Sequence, residues 1–346
     1  MKAVRLHAYG QRPELEEVAN PKITGAHDVI VRIGGAGLCR TDLHIVEGQW
    51  KDKSHVQLPY ILGHENAGWV HAVGSAVEHV AVGDTVIVHP LISCGFCRHC
   101  RAGDDMHCSH GVFPGIDADG GFAEFLKTGA RAVVKLDPKT RPQDVAALAD
   151  AGLTAYHAVK KAIPLLYPGT HAVVIGGGGG LGHIGIQSLK ALTAADVIVV
   201  DKSEGALELA RKCGADHTVL TNGSQVAKVK DITGAAGCEA VIDFVGEGGA
   251  IADGIAMLRR AGTYYVIGYG GIIDVPAIDM ISQEINFIGN LVGTYNDLDE
   301  LMTLTAEGRV TLETRIYPLD GVNDAMDDLE HGKLHGRGIF VPGASN

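Results

Sequence analysis

Residues 171–201 read HAVVIGGGGGLGHIGIQSLKALTAADVIVVD, and this stretch decides the fold. HAVVI (171–175) is a short, continuous apolar run, the pattern of a strand covered on both faces of a parallel sheet. Five glycines follow, then apolar residues at helical spacing through LGHIGIQSLKALTA (181–194), then a second apolar strand, DVIVV (196–200). Gly177, Gly179 and Gly182 satisfy G-x-G-x-x-G. That pattern alone is weak in a glycine-rich chain. Here it lies between a strand and a helix, where bare backbone can approach a pyrophosphate whose charge the helix N-terminus attracts. Asp201 closes the second strand, 19 residues after Gly182. A carboxylate there accepts from both ribose hydroxyls of an adenosine and repels a 2'-phosphate, so NAD is the expected ligand rather than NADP. Lys202, next in the chain, softens that discrimination.

The alternation continues outward. EGALELARKCGA (204–215) has helical periodicity, while EAVIDF (239–244) and TYYVIG (263–268) read as further buried strands, with an outer strand near INFIGNLVG (285–293). Strand and helix in alternation specify an α/β, doubly wound parallel sheet of the Rossmann type, here spanning 151–295. Before residue 150 the character differs. DVIVRIGGAG (28–37), AGWVHAVGSAV (67–77) and GDTVIVHP (83–90) are short strands punctuated by glycine and proline, which predict a β-rich, barrel-like domain. After about 296 the chain returns to mixed character, ending in the strand GRGIFVP (336–342). The expected division is 1–150 with 296–346 as one domain and 151–295 as the other.

Cys94, Cys97, Cys100 and Cys108 are spaced C-x2-C-x2-C-x7-C. Four thiolates at such short separations suit a closed tetrahedral zinc, on a lobe of about residues 93–110. The alternative is two disulfides or free thiols. MKAVRLHAYG at the start lacks a secretory apolar core, so a reducing cytoplasm is expected and metal is favoured. No apolar run approaches the ~18 residues of a membrane helix. A net charge of −12 without a long basic run argues against nucleic acid.

A second constellation lies upstream, in GLCRTDLH (37–44) and GHENAG (63–68). Cys39, His64 and Glu65 are soft, borderline and hard metal donors. A lone Cys and a lone His are more often core residues than ligands. Asp42, however, is available to orient His64 from behind, as metal-bound histidines require. The residues alone leave both readings open.

Taken together, GLCRTDLH, GHENAGWV, the four-cysteine loop, LADAGLTAYHA (148–158), VVIGGGGGLGHIGIQ (173–187) and HGRGIFVP (335–342) resemble the zinc-dependent alcohol dehydrogenases of the medium-chain dehydrogenase/reductase superfamily, especially the tetrameric microbial type. The resemblance runs essentially the full length. It implies that the β-rich domain is GroES-like and catalytic. It implies Cys39, His64 and Asp150 as ligands of a catalytic zinc, Asp150 standing where many relatives carry cysteine. Glu65 is then a fourth ligand or a near neighbour. Thr41 matches the hydroxyl that meets the substrate oxygen, His44 the end of a proton relay, and Asp42 the support of His64. Gly180 and Leu181 join the other glycines at the cofactor turn, and Arg337 resembles a pyrophosphate contact. Trp50, Phe113 and Ile92 match the substrate pocket more loosely. The implied cofactors are NAD and two zinc ions per chain. The implied reaction is hydride transfer with small to medium primary or secondary alcohols, in a homotetramer or homodimer. A polyol or threonine dehydrogenase is the rival enzyme, but polyol relatives carry a Glu-Pro pair near residue 150 that ADAGLTAYHA lacks. A non-catalytic zinc-bound scaffold is the rival from another class.

Overall fold

The computed structural model describes residues 1–54 and 56–344. The chain divides into two compact units. One comprises Met1–Leu153, Gly293–Met302 and the chain from Leu312 onward; the other comprises Thr154–Val292 and Thr303–Thr311. Among the described residues no helix is long and apolar enough to cross a membrane.

The second unit is built on six parallel strands. Their order across the sheet is His217–Leu220, Asp196–Asp201, His171–Ile175, Cys238–Asp243, Leu258–Val266 and Asn286–Gly289. The order reverses beside His171–Ile175, which makes the carboxyl ends of that strand and of Cys238–Asp243 the switch point of the sheet. The strands are continuously apolar because both faces are covered. Ala172, Val174, Ile242 and Tyr265 enter one buried cluster, while Val173, Ile175, Val241 and Tyr264 enter another on the opposite face. The helices over these faces are set by local chemistry. Ser203 caps Glu204–Lys212 by accepting from the Ala206 N–H at 3.2 Å. The strand read at 263–268 begins earlier, at Leu258, because a bulge between Cys238 and Ala240 lets Leu258 pair ahead of the main ladder.

The first unit is β-rich. One sheet runs Thr314–Pro318, Arg337–Val341, Asp28–Leu38, Glu65–Val73, Thr85–Val88 and Val133–Lys135, with Phe125–Gly129 also paired to Asp28–Leu38. A smaller sheet holds Glu14–Glu17, Lys2–Leu6 and Tyr60–Ile61. The core between them includes Leu6, Leu38, Leu62 and the edge-to-face pair Phe122 and Phe340, whose ring centroids are 4.7 Å apart. The central strand Asp28–Leu38 decides where chemistry sits. Gly37 is flanked by Ile339 on one side and Glu65 on the other, so the ends of three strands converge beside Cys39. A methyl group on Gly37 would lie 2.0 Å from Glu65 Oε2, so only glycine fits there.

Candidate metal centres and cofactor turn

Cys39 leaves the central strand and becomes the N-cap of the helix Arg40–Val46. Its N–H donates to Asp42 Oδ2 at 2.9 Å, which fixes the fully buried Asp42 on the first turn. His64 and Glu65 follow Gly63, whose φ of +97° turns the chain where a side chain would strike Phe122. Asp150 immediately precedes the helix Ala151–Ala162. One donor atom from each of Cys39, His64, Glu65 and Asp150 lies within 4.8 Å of the others. Thr41 and His44 share the Cys39 helix, three residues apart and both half-buried.

The donor set fits a metal ion. His64 is 1% exposed, yet neither ring nitrogen makes a hydrogen bond. Nε2 stands 3.3 Å from Asp150 Oδ2 and Nδ1 stands 3.4 Å from Asp42 Oδ1, near enough for charge attraction but not aligned as hydrogen bonds. Glu65 Oε2 and Asp42 Oδ1 are also buried without a hydrogen-bond partner. Burying such polar atoms unpaired is costly, and a cation beside His64 Nε2 and Glu65 Oε2 would relieve that side of the ring, while Asp42 Oδ1 faces Nδ1 on the other. Cys39, His64, Glu65 and Asp150 each offer a donor of a type that zinc takes, and three such ligands would leave one position open. Burial alone disfavours a charged imidazole, but the carboxylates of Asp42 and Asp150 outweigh it and raise the His64 pKa well above its usual range.

Glu65 is used on two sides. Its Oε1 accepts from the Ala151 N–H at 3.1 Å and from Arg337 Nη2, leaving Oε2 beside the cluster. Burial lifts the Glu65 carboxyl above the ordinary range, although Arg337 opposes that rise. Arg337 is itself buried, but Glu65 and Cys39 hold it cationic against the pull of burial. The pyrophosphate reading of Arg337 gave no hint of this partner, which lies 272 positions away in the chain. Phe113 sits edge-on to His64, with ring centroids 6.0 Å apart, and Trp50 packs on the core of the unit. Ile92 pairs with Val112 at the foot of the cysteine lobe.

The four lobe cysteines also converge within 4.8 Å. None of the seven cysteines is in a disulfide. Sγ separations of 3.9 Å for Cys94–Cys100 and 3.5 Å for Cys97–Cys100 exclude disulfides. They match the edges of about 3.8 Å expected when four sulfurs sit ~2.3 Å from a central ion. Backbone N–H groups aim at the sulfurs: Cys97 N to Cys94 Sγ at 3.4 Å, Cys100 N to Cys97 Sγ at 3.5 Å and Cys94 N to Cys108 Sγ at 3.3 Å. The N–H groups of Cys100 and Ser109 hold the Cys97 thiol down at about 5, while burial pushes Cys100 up to about 12. The lobe thus holds at least one thiolate ready for a cation.

In the other unit, the glycine turn follows His171–Ile175. Side chains on Gly177, Gly178 and Gly182 would come within 2.2 Å of Val199, 2.3 Å of Ala206 and 2.1 Å of the Gly176 carbonyl. Gly179 is exposed at the entry to the helix Gly182–Leu192, with Gly180 and Leu181 half-buried beside it. The motif pattern passed over Gly178, which the structure makes central. Its N–H donates to Asp201 Oδ2 at 3.0 Å, and the Lys202 N–H donates to Oδ1 at 2.7 Å. Asp201 is thereby aimed by backbone alone. His183 was also missed. It is fully buried, and its Nδ1 lies 2.9 Å from the Gly179 carbonyl, bracing the turn. The available signal was a histidine inside an otherwise apolar helix start.

Comparison with known proteins bears on both units. Residues 25–138 match the family described as alcohol dehydrogenase GroES-like domain, and residues 180–307 match zinc-binding dehydrogenase. The chain is 36% identical to an NAD-dependent alcohol dehydrogenase of Sulfolobus acidocaldarius, with 98% of this chain and 99% of that protein covered. It is 33% identical to a D-arabinose 1-dehydrogenase (NADP(+)) of Saccharolobus solfataricus, with 99% and 97% covered. Among solved structures it is similar to the alcohol dehydrogenase of Aeropyrum pernix, with a TM-score of 0.96 at 46% identity over 99% of this chain and 100% of that one.

Proposed function

The chain belongs to the zinc-type alcohol dehydrogenases of the medium-chain dehydrogenase/reductase superfamily, and from that premise we propose that it moves a hydride between NAD(H) and small to medium primary or secondary alcohols, with aldehydes or ketones as the reverse substrates. The observation that carries the reading is the buried His64 ring, both nitrogens without a hydrogen bond, set among Cys39, Glu65 and Asp150. A zinc held by Cys39, His64 and Asp150 supplies the Lewis acidity that makes an alcohol O–H acidic near neutral pH. Bound NAD supplies the hydride acceptor. The chain's own residues do the rest. Thr41 accepts the alcohol proton at its hydroxyl oxygen while giving up its own hydroxyl hydrogen toward His44, which takes up that proton and releases one to solvent. Asp42 orients His64 from behind. Glu65 divides between Arg337 and the metal cluster. The four cysteines hold a second zinc that has no open position and serves the fold.

The test is a panel of 2-alkanols, cyclohexanol, sorbitol, threonine and D-arabinose assayed with NAD and NADP, together with a metal count. Two zincs per chain and NADH formation on simple alcohols are expected. Highest turnover on a sugar or polyol would transfer the function to the D-arabinose-type reading. One zinc and no turnover on any member would leave a scaffold.

Gly177, Gly179, Gly180, Leu181 and Gly182 receive the pyrophosphate and Asp201 the ribose, with Lys202 beside it. Asp201→Gly is expected to narrow the preference for NAD over NADP by about tenfold, the ratio that ~1.4 kcal/mol buys. Unchanged preference in kcat/KM would overturn the role of Asp201.

The chain is further proposed to be a homo-oligomer, a dimer or tetramer, working in the reducing cytoplasm where its free thiols persist. Ile272, Ile278, Ile281 and Leu291 are 85%, 70%, 75% and 52% exposed around the edge strand Asn286–Gly289. Exposed apolar side chains in the segments before and after a strand that ends its sheet suit a second copy. Ile281→Asp should lower the mass seen by sedimentation. A wild-type protein that sediments as one chain contradicts the proposal.

A further inference from the structure

The geometry points to Asp243 and Tyr264 as a positioning pair that shapes the nicotinamide half of the cofactor crevice. This deepens the NAD reading above and rests on it. Asp243 is the last residue of the strand Cys238–Asp243 and pairs with Ile175 on one side and Val266 on the other. It therefore ends at the switch point, across the reversal from the glycine turn. A sheet of this order has two mononucleotide halves. Asp201 marks the adenosine half, so the loops leaving Cys238–Asp243 and Leu258–Val266 form the wall of the other.

Those two loops are laced to one residue. Asp243 Oδ1 accepts from the N–H groups of Val245 at 2.7 Å and Gly246 at 3.0 Å. Its Oδ2 accepts from the Tyr264 hydroxyl in a short contact. Its main-chain carbonyl accepts from Ile267 at 3.2 Å and Gly268 at 2.9 Å, and the Gly246 carbonyl accepts from Gly271 at 2.7 Å. The loops also touch backbone to backbone. A side chain on Gly246 would fall 2.2 Å from the Gly268 carbonyl carbon, and one on Gly268 would fall 2.3 Å from that of Val245.

Nothing in the sheet core requires a carboxylate here. Asp243 is 1% exposed, and burying that group is costly unless donors surround it. Its donors are loop N–H groups and one hydroxyl from the neighbouring strand, so what it secures is the shape of the two loops. Tyr264 is fully buried, with its ring against Phe287 at a centroid distance of 5.9 Å. Tyr264→Phe keeps that ring and removes only the hydroxyl.

The test compares NADH with ADP-ribose, which keeps both riboses and lacks only the nicotinamide ring. Binding of each is measured on the zinc-loaded wild type, Asp243→Asn and Tyr264→Phe, together with the melting temperature. Wild type is expected to bind both. Each variant should weaken NADH by about tenfold, the scale of one lost charge-assisted hydrogen bond, while ADP-ribose stays within about twofold. Equal weakening of both ligands, or a collapse of melting temperature in Tyr264→Phe, would assign the pair to general stability and overturn the proposal. So would unchanged affinity for both. A wild type that binds neither ligand overturns the NAD reading itself, and this pair's role with it.

Discussion

His64→Ala is expected to lower kcat/KM for alcohol by about 10⁴-fold or more and to reduce the metal content from two zincs per chain to one. The magnitude follows from the chemistry. Lewis-acid stabilisation of a developing negative oxygen is worth several kcal/mol, and each ~1.36 kcal/mol is a factor of ten in rate. Removing His64 takes away the buried nitrogen at the centre of the cluster and leaves Asp42 facing a void. NADH binding should survive, because the glycine turn and Asp201 belong to the other compact unit. Metal analysis, NADH titration and initial rates on the same preparation decide it. A variant that keeps both zincs and turns over within tenfold of wild type would sink the catalytic centre as described.

Cys97→Ser should have the opposite signature. It should remove the other zinc and lower the melting temperature by about 10 °C, since loss of a structural metal costs several kcal/mol and each is worth ~2–4 °C in a domain of this size. Surviving folded protein should keep near-normal specific activity. The reason lies in how little else holds the lobe. Between Ser93 and Cys108, only Cys100, Asp105 and Met106 are buried, and Phe96 is 79% exposed. Asp105 is tied by Ser93 and Arg131, and one bridge joins Ile92 to Val112. A lobe with so small a core depends on its ion. Differential scanning calorimetry with elemental analysis reads the outcome. Complete loss of turnover in intact, folded Cys97→Ser would mean that the lobe takes part in the chemistry.

Much of this was legible in the chain. The doubly wound sheet could be read because both of its faces are covered, so strands such as HAVVI show unbroken apolar runs. The four-cysteine cluster could be read because cysteines at short spacing announce donors by residue type, whereas the residues alone left Cys39 and His64 open between ligand and core, and Asp150 came from the family resemblance. What could not be read were partners set by strand register. Arg337 meets Glu65 only because Gly37 stands between Ile339 and Glu65 in one sheet. Gly178 occupies a wild-card position of the motif, yet it cannot carry a side chain against Ala206 and it anchors Asp201. Asp243 and Tyr264 look like an ordinary strand end and an ordinary core aromatic until the bulged register brings them together.

The anchoring of Asp201 has an evolutionary corollary. Its two oxygens are occupied by the N–H groups of Gly178 and Lys202. Exchanging aspartate for glycine takes a single-base codon change. It removes a negative charge and at the same time frees two main-chain donors beside a lysine. On the role proposed for Asp201, the same change would end repulsion of a phosphorylated ribose and leave those donors open to it. Lineages built on this turn stand one mutation from exploring the other dinucleotide pool.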